Sequence, residues 1–195
     1  MPGSERARLA DKAFATAIAL HERMRANLGS TLVAAQAISE ALKAGKKLLL
    51  FGNGGSASDA QHMSAELVGR FQRERAAMAA IALTTDTSIV TSIANDYSFK
   101  QVFARQVEAL GRPGDVAFGI STSGESPNVV LALQVAKTRG LKTIALTGRD
   151  GGGVGRAADI HVNVPDQSVA RVQEVHRILI HVICEVIEED ESTNA

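Results

Sequence analysis

The chain has 195 residues, 45% of them hydrophobic, with 21 basic and 21 acidic side chains and a formal net charge of zero. That length and apolar content suit one domain with a full core, and the balanced charge argues against a nucleic-acid binder that relies on a broad basic face. One cysteine, one tyrosine and no tryptophan argue against a disulfide framework and against base-stacking surfaces, so a reducing cytoplasm is the expected compartment. The opening Met1-Pro2-Gly3-Ser4-Glu5-Arg6 leads into no long apolar run, so neither a signal peptide nor a membrane span is expected.

Helical spacing of Ala13, Ala17, Leu20, Met24 and Leu28 predicts a first helix over about 9–28, and a second is expected over about 31–44, stopping at Gly45. Strands and helices then alternate. Strands are expected over 47–51, 79–83, 115–120, 142–146 and 160–164, the last closed by Pro165. Helices are expected over 58–71, 87–94, 99–110, 127–139 and 168–189. Pro127 suits a first helical turn and Gly140 suits a helix stop. Apolar strands separated by helices imply a five-stranded parallel α/β sheet, with any ligand at the carboxyl ends of the strands. We expect one domain over 1–195: a helical extension over about 5–45, an α/β core over about 46–190, and a frayed tail from Glu188 to Ala195.

Two loops follow strands. Ser121-Thr122-Ser123-Gly124-Glu125-Ser126 puts four hydroxyls within six residues, directly before a helix start. Hydroxyls donate to phosphate oxygens, and a glycine lets the backbone close in. N-capping of the helix by Ser126 alone is the plainer alternative, and four hydroxyls exceed that need. The other loop, Gly52-Asn53-Gly54-Gly55-Ser56, is neither a Walker loop nor a dinucleotide fingerprint, so no nucleotide cofactor is expected. Together they describe a phosphate pocket without a lysine.

His62 and Glu66 are four apart, on one face of a helix. Gln173 and His181 are eight apart on the last helix, their faces about 80° from each other. These four could supply a base, an acid and a metal site, or could be ordinary helix-surface residues. His161 and His176 are read as structural, Asp86 and Asp159 as cap or turn residues, and Cys184 as packing.

Gly52-Asn53-Gly54-Gly55-Ser56, Asp59-Ala60-Gln61-His62, Glu66, Ala94-Asn95-Asp96, Ser121-Thr122-Ser123-Gly124, Leu146-Thr147-Gly148 and Gln173-Glu174-x-His176 resemble the sugar isomerase (SIS) domain. More closely they resemble the bacterial sedoheptulose-7-phosphate, or phosphoheptose, isomerases, over nearly the whole chain. The resemblance implies a flavodoxin-like subunit of a homotetramer with sites between subunits. It implies conversion of D-sedoheptulose 7-phosphate to D-glycero-D-manno-heptose 7-phosphate for the heptose of lipopolysaccharide or related glycans. It also implies zinc at His62, Glu66, Gln173 and His181, and substrate contacts at Asn53, Gly54, Gly55, Glu66, Asn95, Asp96, Ser121, Thr122, Ser123, Ser126 and Gln173. Glu66 is then the expected base and His181 the expected acid. The DnaA initiator-associating protein, a regulatory relative, lacks the acid at the position of Glu66 and the histidine at that of His181; both are present here. SIS isomerases of other sugar phosphates share the hydroxyl loop and remain the further alternative. The segment Arg75-Ala76-Ala77-Met78-Ala79 departs from the family's common Arg-Pro step, and a looser loop is expected there.

Overall fold

A computed structural model describes residues 2–192. Two helices lead, α1 (Pro2–Arg25) and α2 (Gly29–Lys43). There follow β1 (Leu48–Gly52), α3 (Gly55–Val68), β2 (Ala80–Ala82), α4 (Thr87–Asp96), a 3-10 turn (Phe99–Gln101), α5 (Ala104–Leu110) and β3 (Val116–Ser121). The chain continues through α6 (Pro127–Thr138), β4 (Lys142–Gly148), α7 (Gly152–Ala157), β5 (Ile160–Val164) and α8 (Val169–Ser192). All strand pairs are parallel, in the order β2-β1-β3-β4-β5. This is the flavodoxin-like order, in which the strand sequence reverses between β1 and β3.

Every residue of β1 and β3 is buried because helices cover both faces of the sheet. Successive strand side chains point to opposite sides. Leu48, Leu50, Val116 and Phe118 join one cluster with residues of α1, α2, α3 and α8. Leu49, Phe51 and Ala117 join another with residues of α4, α5, α6 and α7. No helix among the described residues is long and apolar enough to cross a membrane.

The helix stops at Gly45 and Gly140 have a common cause. Both glycines take positive φ (70° and 76°), and the amides after them return to the last helical turn, Lys46 N to Ala41 O and Leu141 N to Ala136 O. A side chain at either position would be strained.

Several boundaries differ from expectation. Leu28 falls in the break after α1, where the Asn27 amide takes the carbonyl of Arg23 at 2.9 Å. The helix expected over 99–110 is broken into the 3-10 turn and α5, and the buried amide of Gln106 takes the carbonyls of Leu83 and Val102. α3 ends at Val68, which leaves Phe71 in the connection to β2. No element was expected where α7 lies, because Gly151-Gly152-Gly153 argues against a helix on propensity. The tail is not frayed at Glu188, which is 4% exposed and accepts three backbone N–H groups from residues 71–73; Thr193, Asn194 and Ala195 lie outside the described residues. Nor is the connection at Arg75 loose. Arg75 donates to Leu67 O, Ala76 O, Glu66 O and Glu188, and Met78 N bonds Leu67 O at 3.1 Å. An arginine with all its groups in use holds the segment without a proline.

Candidate active site

The strand order explains why the two Gly/Ser loops meet. β1 and β3 are neighbours, paired from Leu48↔Val116 to Gly52↔Ile120, so the loops that follow them leave the same edge side by side. A reciprocal amide pair stitches them together: Asn53 Nδ2 donates to Asn128 Oδ1 (3.0 Å) and Asn128 Nδ2 donates to Asn53 Oδ1 (2.9 Å). Gly54 has φ +55° at the start of α3, a conformation open to glycine at little cost.

In the second loop the hydroxyls of Ser121, Ser123 and Ser126 form a cluster, with Oγ–Oγ distances from Ser121 of 3.3 and 2.9 Å. Ser126 holds the N-cap position of α6, yet its side chain caps nothing. Val129 N is met instead by Asn128 Oδ1 at 3.0 Å. The capping alternative for Ser126 therefore fails, and its hydroxyl points at Ser121. A hydroxyl cluster at a helix start is a ready cradle for an anion.

α7 supports that loop from below. A Cβ on Gly124 (φ +72°) would lie 2.5 Å from the carbonyl of Gly151, and Val154 N donates to Gly124 O at 2.8 Å. The glycines that obscured this helix in the sequence are the ones that let it approach so closely.

Chemistry-bearing side chains gather along the contact between α3 and α8. Against Gly55 lies the amide of Gln173, whose Nε2 would be 2.1 Å from a Cβ there. One turn along, Arg177 pairs with Asp59 at 2.7 Å. Asp59 is almost fully buried and one of its oxygens has no partner; burial raises its carboxyl pKa, with Arg177 opposing the rise. A further turn along, His62 Nε2 is 2.8 Å from His181 Nε2 and 3.4 Å from a Glu66 oxygen. A hydrogen bond between the facing nitrogens needs one ring to donate and the other to accept. Burial lowers the His62 pKa, as do Arg177 and His181, while Glu66 pulls it up. The Phe71 ring lies 5.4 Å from that of His181.

His62, Glu66 and His181 offer one ligand atom each, all within 4.8 Å of one another. Two imidazole nitrogens and a carboxylate oxygen are a donor set that zinc accepts. Gln173 stands about 12 Å from His181 along α8. Thr122 lies in the hydroxyl loop, with its carbonyl oxygen 2.4 Å from a Cβ placed on Gly148. Asn95 and Asp96 are exposed at the end of α4 and bond each other at 2.8 Å.

The structural readings of the other residues hold. His176 is fully buried and donates from Nε2 to Thr147 O at 3.0 Å; burial lowers its pKa to about 4. His161 donates to the Thr147 hydroxyl at 2.6 Å, and that hydroxyl donates to Asn163. Asp86 caps α4 through Ile89 N at 2.9 Å, and Asp159 binds Thr143 and Lys137. Cys184 is buried, and its thiol pKa is pushed up to about 12 by burial and nearby carboxylates, Glu66 first among them. Sequence reasoning missed Asn128, Phe71 and the pair Asp59–Arg177. The four-residue spacing Gln173, Arg177, His181 was the available signal for the last of these.

The SIS domain family model matches residues 14–148. The phosphoheptose isomerase of Geotalea daltonii is 53% identical over 173 residues, covering 86% of this chain and 90% of that one. The phosphoheptose isomerase of Aquifex aeolicus is 59% identical over 152 residues, covering 78% and 80%. The solved structure of phosphoheptose isomerase GmhA from Neisseria gonorrhoeae superposes with a TM-score of 0.88 at 45% identity, over 93% of this chain and 98% of that one. With the fold, the loops and this degree of likeness in agreement, the chain belongs to the SIS domain family and, within it, to the phosphoheptose isomerases.

Proposed function

We propose that the protein isomerises D-sedoheptulose 7-phosphate to D-glycero-D-manno-heptose 7-phosphate in the cytoplasm, for the heptose of lipopolysaccharide or related glycans. One observation carries the reading: His62, Glu66 and His181 meet on α3 and α8 in a chain 53% identical to a phosphoheptose isomerase.

Aldose–ketose interconversion moves one proton between adjacent carbons and another between their oxygens. A carboxylate over the carbons and a proton donor at the oxygens meet that need. Glu66 takes a proton from C1 of the open-chain ketose and returns it at C2 through a cis-enediol. His181 carries the proton between O1 and O2. His62, Glu66 and His181 would hold zinc, which when bound supplies a Lewis acid for the carbonyl and countercharge for the enediolate; Gln173, about 12 Å away along α8, would complete the set only from another subunit. Glu66 would not serve as ligand and as free base in one and the same state.

Ser121, Thr122, Ser123 and Ser126 grip the phosphate. Asn53, Gly54, Gly55, Asn95, Asp96 and Gln173 line the sugar. Glu66 lies about 16 Å along α3 from Gly55, and Asn95 and Asp96 face solvent within one chain. Both facts favour sites assembled between subunits. Leu9, Phe14 and Ile18 on α1 and Leu32 and Val33 on α2 are exposed, and α1 and α8 line an open apolar groove of about 460 Å³. This is surface suited to burial in a homotetramer.

The test is turnover of sedoheptulose 7-phosphate by protein treated with chelator, then with zinc. Turnover that zinc restores is the expected result. Turnover indifferent to both steps removes zinc from the mechanism, and no turnover under any condition overturns the proposed reaction.

A further inference from the structure

Glu66 stands in the last turn of α3, which ends at Val68. Helix ends leave their final carbonyls without intrahelical partners, and they open more readily than helix centres. A group that must meet a reacting carbon within a fraction of an ångström is badly placed there unless something holds the turn. Here something does. Arg75 Nη2 donates to the carbonyl of Glu66 itself at 2.7 Å, and Nη1 donates to the carbonyl of Leu67 at 2.9 Å. The same guanidinium donates through Nε to Glu188 Oε1 at 3.1 Å.

Glu188 lies on α8, seven residues beyond His181 and so on nearly the same face. Its carboxylate is saturated. Oε1 accepts from Phe71 N at 2.9 Å, and Oε2 accepts from Gln72 N at 3.0 Å and Arg73 N at 3.1 Å. Both partners of the pair are buried, with side chains 9% and 4% exposed. Such a pair, with its remaining lone pairs and protons satisfied, specifies a geometry more than it adds stability. The geometry it specifies includes Phe71, which it presents to the His181 ring at 5.4 Å.

We infer that Arg75 and Glu188 are positioning residues for the reaction: a buried clamp that ties the end of the helix carrying Glu66 to the helix carrying His181 and sets Phe71 against the His181 ring. The clamp touches neither substrate nor metal ligand atoms. It acts on the Glu66 backbone and on the neighbour of His181. The inference rests on the roles proposed above for Glu66 and His181, and not on the phosphate loop, which belongs to a different part of the sheet edge.

The experiment compares wild type with Glu188→Gln and Arg75→Lys, at a temperature where circular dichroism shows all three folded. It reads kcat and KM for sedoheptulose 7-phosphate and the visible spectrum of cobalt(II) loaded in place of zinc. Loss of support around functional groups costs about tenfold to a hundredfold, so a fall of that size in kcat is expected. KM should stay within about twofold, because uniform binding of the sugar phosphate is untouched. The cobalt spectrum should change, since its ligand geometry changes. Both changes are required: a lowered melting temperature with kcat or the cobalt spectrum as in wild type would reduce the clamp to a fold-stabilising pair and overturn the inference. Should Glu188→Gln fail to fold, Phe71→Leu leaves the ion pair whole and tests its link to His181 by the same readouts. A wild type without turnover overturns the proposed reaction instead, and the cobalt comparison then still decides the clamp.

Discussion

Two pairs of histidines divide the molecule. His62 and His181 face each other across α3 and α8, part-buried, with Glu66 beside them. His161 and His176 both donate to Thr147, one to its hydroxyl and one to its carbonyl. The first pair brings two ring nitrogens and a carboxylate oxygen within 4.8 Å of one another. In the second pair both Nε2 groups are donors to threonine oxygens that define the end of β4. The difference is one of partners. A histidine bonded to backbone and hydroxyl oxygen is a strut, whereas two histidines and a carboxylate facing one another have no structural reason to be together.

The sharpest way to break this contrast is at Glu66. Glu66→Gln keeps the shape and removes the proposed base, so kcat should fall about 10²- to 10⁴-fold while the melting temperature stays near that of wild type. His181→Gln should behave alike. Steady-state kinetics beside thermal melts give the answer, and near-normal turnover in Glu66→Gln removes it from the role of base.

The next largest effect belongs to the other pair and concerns stability. His176 has its pKa lowered from 6.5 to about 4 by burial. A depressed folded-state pKa means that the unfolded chain binds the proton first. The stability that the neutral ring contributes is therefore complete above pH 6.5 and is lost as pH falls through about 4. The full loss is about 3 kcal/mol. His176→Gln keeps an N–H donor without a titrating ring, so its stability should fall less steeply between pH 6.5 and 4. Parallel denaturant curves across that range would show identical slopes if His176 did not supply the term.

The smallest effect expected is at the hub itself. Thr147→Val removes the hydroxyl that links His161 to Asn163 and leaves the carbonyl held by His176. Two part-buried partners lose a bond, so a loss of about 1 kcal/mol is expected, with kcat changed far less than in Glu66→Gln. A kcat loss comparable to that of Glu66→Gln would erase the distinction between the two histidine pairs.

Much of this could be read before the fold was known, for local reasons. Five apolar runs set between helical patterns gave the parallel sheet, and Gly45 and Gly140 marked helix stops because positive φ is a property of the residue itself. The hydroxyl loop stood out because four such groups exceed what a cap requires. Other features were hidden because their cause is distant. α7 looks like a glycine-rich turn until Gly124 is seen against Gly151 and the His161 ring against Gly155. The connection at Arg75 looks loose until Glu188, more than a hundred residues later, closes on it.

The sequence by itself determined the strand count, the two loops and the residue types able to move protons or bind a metal, because these follow from hydrophobic period, turn chemistry and side-chain inventory. Tertiary structure alone decided which histidines face each other and which brace a strand end, because each assignment depends on a partner from another part of the chain. It also decided that the last turn of α3 is held, since Arg75 and Glu188 meet only when α8 packs against α3.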